Sequence, residues 1–370
     1  LSRYNKTQKL PPEERIKILA LSRIDGLGPR TFQNLLDNFE DIKNIFNAKK
    51  RDLEIVIPPS VASYIRSKKY LEGIEAYLNS LQESGISFFT ILDKEYPKLL
   101  REIYDPPIVL YYKGDFNSCD FDKCFSVVGT RASTRYGKEV TGELVSGLVE
   151  AGFVIVSGMA FGIDKLAHKQ AIKSEGKTVA VLSGRPDQPS PYSNYKVYEE
   201  ILTNGCILSE AHLDEEIYPG MFPKRNRIIS ALSRGVLVVE AGEKSGALIT
   251  AYQALEQGRD VFAVPGNITN EKSRGTNKLI KNGNAKLVGS IYDILEEFGF
   301  KKQVSGSREL VTYTDSEQRI IDVLVKEGAT IDEITQALEW DISRVLQLLT
   351  MMEIEGKVAK DEREVYFITK

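Results

Sequence analysis

The chain has 370 residues, 42% of them hydrophobic and 27% charged, and a net charge of −3, the balance of a soluble protein long enough for more than one domain. No apolar run reaches the ~20 residues of a membrane-spanning helix, and the opening LSRYNKTQKLPPEE has no signal-peptide core, so a cytoplasmic location without a membrane partner is expected. Three cysteines (Cys119, Cys124, Cys206) and two histidines favour reduced thiols over a zinc site.

In chain order, residues 12 to about 80 have apolar residues at helical spacing. PPEERIKILALSRI begins with Pro and carries Ile16, Leu19, Ala20 and Ile24. IDGLGPR (24–30) then forms a Gly-rich turn before a second helix capped at Thr31. Its look is that of a helix-hairpin-helix turn, whose amides suit a backbone phosphate and which serves equally as plain architecture. ISFFTILDKEYPKLL shifts to β-branched and aromatic residues with Pro breaks.

From Phe125 apolar runs alternate with amphipathic segments: FSVV, FVIV, TVAVL, CIL, GVLVV, DVFAV and AKLV. Near-continuous apolar strands separated by helices predict a parallel sheet covered on both faces. The expected fold is α/β, an extended Rossmann-like, doubly wound, mostly parallel sheet. KKQVSGSREL (301–310) has the composition of a linker. Three helical segments and a short hairpin follow, the order of a winged helix. Residues 313–370 hold 7 Lys+Arg against 13 Asp+Glu, a net of −6, which leaves +3 on residues 1–312. A polyanion would therefore meet the body, not the tail.

Ligands of open parallel sheets bind beyond the carboxyl ends of the strands. Those tips read Gly129-Thr130-Arg131, Ser157-Gly158-Met159, Ser183-Gly184-Arg185, Ser209-Glu210-Ala211, Glu240-Ala241-Gly242 and Pro265-Gly266-Asn267. Small residues let backbone N–H groups approach a ligand, and Lys244-Ser245-Gly246 opens a helix beside them. Cations cluster in the same loops: Arg131, Arg135 and Lys138; Lys224, Arg225 and Arg227 in FPKRNR; Arg274 and Lys278 in SRGTNKLIKNG. Several cations with backbone donors fit a run of phosphates better than one diphosphate. Each cation alone is equally a solvated surface charge.

Enzyme signatures are absent. There is no G-x-G-x-x-G, no ribose-binding acid after the second strand and no Walker lysine. Asp164 and His168 stand at i, i+4, a spacing that more often stabilises a helix start than forms an acid–base pair. No nucleophile triad can be assembled around His168 or His212.

VVGTR, YGKE, VIVSGMAFGIDKLAHKQAI, TVAVL, LSE, GTNKLI and above all FPKRNRIISALSRGVLVVEAGEKSGALITAYQALEQGRDVFAVPG follow one another as in the DNA-processing protein A (DprA, or Smf) family, which this chain resembles along nearly the whole Rossmann body. DKEYPKLLREIYDPPIVLYYKGD resembles the family's extension of that body. The domains expected are a helical, helix-hairpin-helix or SAM-like domain over 1–84, the Rossmann-like domain over 85–300, a linker over 301–312 and a winged helix over 313–370. The resemblance implies a bacterial cytosolic protein, not an enzyme and without cofactor. It implies one that binds single-stranded DNA, forms a homodimer through its Rossmann domain and helps load RecA recombinase during natural transformation. By match to the family's motifs the DNA site is Gly129, Thr130, Arg131, Ser157, Gly158, Lys224, Arg225, Asn226, Arg227, Ser245 and Gly246, with Arg274 and Phe161 beside it.

Some positions depart from the family pattern. Thr130 stands where Ser is usual and keeps the hydroxyl. Phe161 stands where Arg is usual, removing a cation or supplying a stacking face. SGRPDQPSPYSN keeps only Asp187, Pro191 and Asn194 of the family's motif, with Tyr192 at a position often basic. Arg344 is the only cation in TIDEITQALEWDISRVLQLLTMMEIEG, the stretch of the winged helix's second and third helices, so that module is expected to make protein contacts, not to read DNA. The rival class is a nucleotide-binding Rossmann enzyme such as a nucleoside monophosphate phosphoribohydrolase. Its P-G-G-x-G-T-x-x-E signature is missing from VVEAGEKSGALITA, although Glu240 and Glu243 are candidate acids.

Overall fold

The structure is a computed structural model that describes residues 10–300, 313–325, 328–361 and 364–368. The linker expected at 301–312 lies outside the described residues. The chain divides into two compact units, Leu1–Lys301 and Lys302–Lys370.

The first unit is built on a nine-stranded sheet: β1 (Ser87–Thr90), β2 (Val109–Gly114), β3 (Cys124–Val128), β4 (Val154–Ser157), β5 (Thr178–Leu182), β6 (Gly205–Ser209), β7 (Gly235–Val238), β8 (Asp260–Ala263) and β9 (Lys286–Leu287). Their order is β1-β2-β6-β5-β4-β3-β7-β8-β9. β3 to β9 run parallel; β2 is antiparallel to β6, and β1 to β2. Each apolar run found in the sequence from Phe125 onward is a strand. Side chains alternate across a strand, so on β3 Cys124 and Val128 face one apolar cluster while Phe125 and Val127 face another. Burial on both faces is why these strands read as unbroken apolar runs.

The helices before residue 85 share their apolar core with the sheet. Ile18, Leu21, Phe32 and Leu81 belong to the same cluster as Leu110, Val128 and Val236. The turn of IDGLGPR joins helices Pro12–Ser22 and Pro29–Phe39. It lines a hollow of about 320 Å³ together with Glu210, His212, Glu215 and Lys224.

The second unit has helices Asp315–Leu324, Ile331–Leu338 and Ile342–Ile354, then the hairpin β10 (Val358–Lys360) and β11 (Tyr366–Ile368). Ile320, Ile334, Val345, Leu349 and Met352 fill its core. Thr314 with Glu317, and Thr330 with Glu333, form reciprocal capping boxes. This is the three-helix and hairpin order of a winged helix.

Candidate functional site

The chain runs outward from β3 in one direction through β4, β5 and β6, and in the other through β7, β8 and β9. The order reverses between β3 and β7, where a doubly wound sheet opens a crevice at its carboxyl edge. A cavity of about 510 Å³ lies there.

The turn after β3 forms the first wall. Thr130 N donates to the Glu240 carbonyl (2.7 Å), and the Thr130 carbonyl accepts from Ile163 N (3.2 Å). Gly129 leaves no room for a side chain, since a Cβ would stand 2.6 Å from Ile163. Thr134 caps helix Arg135–Glu150 by accepting from Gly137 N. Its own N–H and hydroxyl donate to the two carboxylate oxygens of Glu240 at 2.9 and 2.5 Å. Glu240 is buried (1% exposed) and presses so closely on Gly137 that any Cβ there would collide with it. Both oxygens of this acid are committed to holding the turn, which leaves Arg131 exposed at its crest. The Arg131 guanidinium lies 5.7 Å from the centre of the Phe222 ring, a cation–π distance.

The opposite wall is the tip of β7. Ser245 caps helix Gly246–Glu256, accepting from Ala247 N at 3.3 Å. Gly246, in the first turn, is among the residues whose N–H has no intrahelical acceptor. Lys244 stands just before the cap, and Lys272 enters from the loop after β8. Among the described residues Arg131, Lys244 and Lys272 have no carboxylate partner. Glu271 also lines the cavity.

The floor is buried and polar. One terminal nitrogen of Arg225 donates to the carbonyls of Gly158 (2.8 Å) and Val181, and Nε donates to Asn226 Oδ1 at 3.1 Å. Burial pushes the Arg225 guanidinium down to about 10, partly offset by the facing Asp164. Burial raises the Asp164 carboxyl, opposed by Arg225 and the N–H groups of Ala160, Gly158 and Gly129. Thr178 donates its hydroxyl to the Ile155 carbonyl (2.8 Å), so it accepts from His168 Nδ1–H at 2.7 Å. Among the described residues His168 Nε2 then has no partner. Burial, and secondarily Arg225, push this imidazole down to about 3. Asp164 and His168 thus belong to the packing beneath the crevice.

Seven expected site residues line the cavity: Gly129, Thr130, Arg131, Arg225, Asn226, Ser245 and Gly246. The others stand elsewhere. Ser157 is buried and donates to the Val127 carbonyl at 2.7 Å. Gly158 lies beneath the Arg225 guanidinium. Arg227 is buried, with Nη2 donating to both Glu210 oxygens at 2.7 Å and Nε 3.1 Å from Asp105. Lys224 pairs with the same Glu210 at 3.3 Å. Arg274 is exposed at the start of helix Arg274–Lys281, and Phe161 is exposed after β4. The basic run FPKRNR therefore directs most of its charge inward. Lys244, Lys272 and Phe222 line the crevice and are not among the site residues expected from the sequence. Lys244 was within reach of that reading, being the cation adjacent to a helix cap. Among the described residues no three metal-ligating side chains come together.

Fold and crevice define a Rossmann-like α/β protein with a C-terminal winged helix. The family model for DNA recombination-mediator protein A matches residues 87–299, and that for the DprA winged helix domain matches 307–362. The chain belongs to the DNA recombination-mediator protein A family. It is 45% identical to the DNA processing protein DprA of Bacillus subtilis over 230 residues, 62% of this chain and 77% of that one. The X-ray structure of DNA processing protein A from Streptococcus pneumoniae superposes with a TM-score of 0.66 at 35% identity, covering 80% of this chain and all of that one. A structure describing the single-stranded DNA binding mode of DNA processing protein A from Helicobacter pylori gives a TM-score of 0.52 at 33% identity, covering 58% of this chain and 95% of that one.

Proposed function

We propose that this chain binds single-stranded DNA in the crevice between β3 and β7, protects it, and helps load RecA recombinase in natural transformation or homologous recombination. On this reading it works in the cytoplasm as a homodimer paired through the Rossmann domain. The observation that carries the DNA reading is the set of unpaired cations, Arg131, Lys244 and Lys272, around an open crevice with backbone donors. Cations in such a groove track a sugar–phosphate backbone without reading sequence. The H. pylori relative, described with single-stranded DNA, supports the same reading. Gly129, Thr130, Arg131, Asn226, Lys244, Ser245 and Gly246 meet the strand, while Arg225 holds the loops that carry them.

Binding without turnover fits the acid at this edge. Glu240 accepts from Thr134 through both oxygens and is not placed to act on a glycosidic bond. Filter binding to oligothymidine tests the proposal. Tight, salt-sensitive retention is expected, with no base released from nucleoside monophosphates. Base release that Glu240→Gln abolishes would establish the hydrolase instead.

A further inference from the structure

A single strand is longer than one crevice, so it must leave along one flank or the other. The two flanks differ. Beyond β8 the exposed side chains include the cations Arg274 and Lys278, with Ile268 and Glu271 beside them and no aromatic ring. Beyond β4 and β5 they include three aromatic rings: Phe161 is 47% exposed, Tyr195 42% and Tyr192 76%.

The aromatic flank is ordered, not a loose loop tip. Tyr198 is buried and its hydroxyl donates to the Pro186 carbonyl at 2.9 Å. Tyr195 stacks outward from it, with ring centroids 6.2 Å apart and planes 25° from parallel. Tyr192 continues the column at 5.7 Å and 36°. The Tyr195 hydroxyl is hydrogen-bonded to the Glu199 carboxylate one helical turn on, which raises that phenol. The column ends at Tyr192, which is 76% exposed.

The column is continuous with the crevice. Asn194, between Tyr192 and Tyr195, is buried and donates from Nδ2 to the Met159 carbonyl at 2.8 Å. Met159 and Ala160 form the tip of β4, and Ala160 lines the crevice. Gly162 packs directly on the backbone of Thr130 and Arg131. Adjacent strands stand about 5 Å apart, so the β4 and β5 tips lie about 5 and 10 Å from that of β3, a span of a few nucleotides.

We propose that Tyr192 and Tyr195, with Phe161 between them and the crevice, form a base-stacking extension of the site that receives unpaired bases of the strand leaving over β4 and β5. This rests on the reading of the crevice as a single-stranded DNA site. Stacking on an aromatic face serves every base and needs no sequence. The flank therefore holds bases where the crevice holds phosphates. It also recognises unpaired strands in particular, since duplex bases have no free faces to offer.

The test uses the full chain and oligothymidines of about 5 and about 15 nucleotides, within the usual span of single-strand sites. Tyr192→Ala with Tyr195→Ala is expected to weaken the longer oligonucleotide about tenfold and the shorter one less than about twofold. Tyr192→Phe with Tyr195→Phe, which keeps the ring faces, is expected to bind both as the unaltered chain does. 2-Aminopurine placed toward one end of the longer strand should be quenched by the unaltered chain and not by the Ala pair. No length-dependent loss, or a Phe pair as weak as the Ala pair, overturns the stacking role and points to a protein-contact surface or to the hydroxyls. Arg131→Ala separates the two levels, because it should weaken both lengths. If the unaltered chain binds neither oligonucleotide, the crevice reading itself falls.

Discussion

The strand-tip crevice and the winged-helix unit both carry cations, and they use them in opposite ways. In the winged helix, Arg344 and Arg319 lie 4.2 and 5.2 Å from the Trp340 ring centre. Lys357 is held between Glu317 (2.8 Å) and Glu355 (2.7 Å). At the crevice Arg131, Lys244 and Lys272 have no carboxylate partner among the described residues, and Arg131 lies beside the Phe222 ring. A surface count of Lys and Arg does not separate these regions as well as the partners do. A cation already paired with carboxylates gives little to a phosphate, because the carboxylates must first be displaced. The same distinction divides the crevice itself. Arg225 and Arg227 supply internal structure, and the charge offered outward comes from Arg131 and two lysines.

The largest expected effect breaks that division at Arg225. Arg225→Ala removes the partner of buried Asp164 and the donors to two carbonyls, and should lower stability by about 3 kcal/mol in urea unfolding. An unchanged midpoint with lost oligothymidine binding would make Arg225 a DNA contact instead. Arg131→Ala combined with Lys244→Ala should leave the melt unchanged and weaken oligothymidine about a hundredfold at low salt. The slope of log affinity against log salt should fall by about 1.4. A slope equal to that of the unaltered chain would mean that neither cation meets a phosphate.

The floor beneath the crevice predicts a pH response. His168 is depressed to about 3 in the fold, below the ~6.5 of an unfolded chain. Between these values the unfolded chain binds the extra proton, so stability is full above about 6.5 and declines as pH falls toward 3. Asp164, raised in the fold, acts in the opposite sense, so the histidine is isolated by comparison. His168→Leu should be spared about 2 kcal/mol of the loss that the unaltered chain shows between pH 7 and 5. Parallel pH profiles for the two proteins would contradict the buried, neutral imidazole. The smallest effect belongs to the winged helix. Glu317→Ala removes a capping box and the Lys357 partner, and should cost that unit about 1 kcal/mol. Oligothymidine affinity should stay within about twofold; a tenfold change would bring the acidic unit into DNA binding.

Strand positions were legible because β3 to β8 are apolar and buried along nearly their whole length, a pattern that burial on both faces imposes. The winged helix was legible from the order of three helical segments and a short hairpin. At the site, the glycines and Arg131 could be located because tight turns after apolar runs announce themselves locally. Lys224, Arg225 and Arg227 read as one basic cluster because they are close in sequence. On helix Met221–Ala231 they point to different neighbours, Glu210 for Lys224 and Arg227, and the Gly158 and Val181 carbonyls for Arg225. Those partners lie 14 to 67 residues away in the chain, beyond any local pattern. Lys272 was missed for the same reason, since only the fold brings the β8 loop to the β3 turn.

By itself the sequence determined the α/β body, the positions of its apolar strands along the chain, the acidic tail and the small residues at the strand tips, together with the family motifs around the candidate site. All of these follow from short-range periodicity and turn chemistry. The tertiary structure decided which charges face out. Whether a guanidinium is free or bound depends on acceptors contributed by other strands, and no local stretch of sequence carries that information.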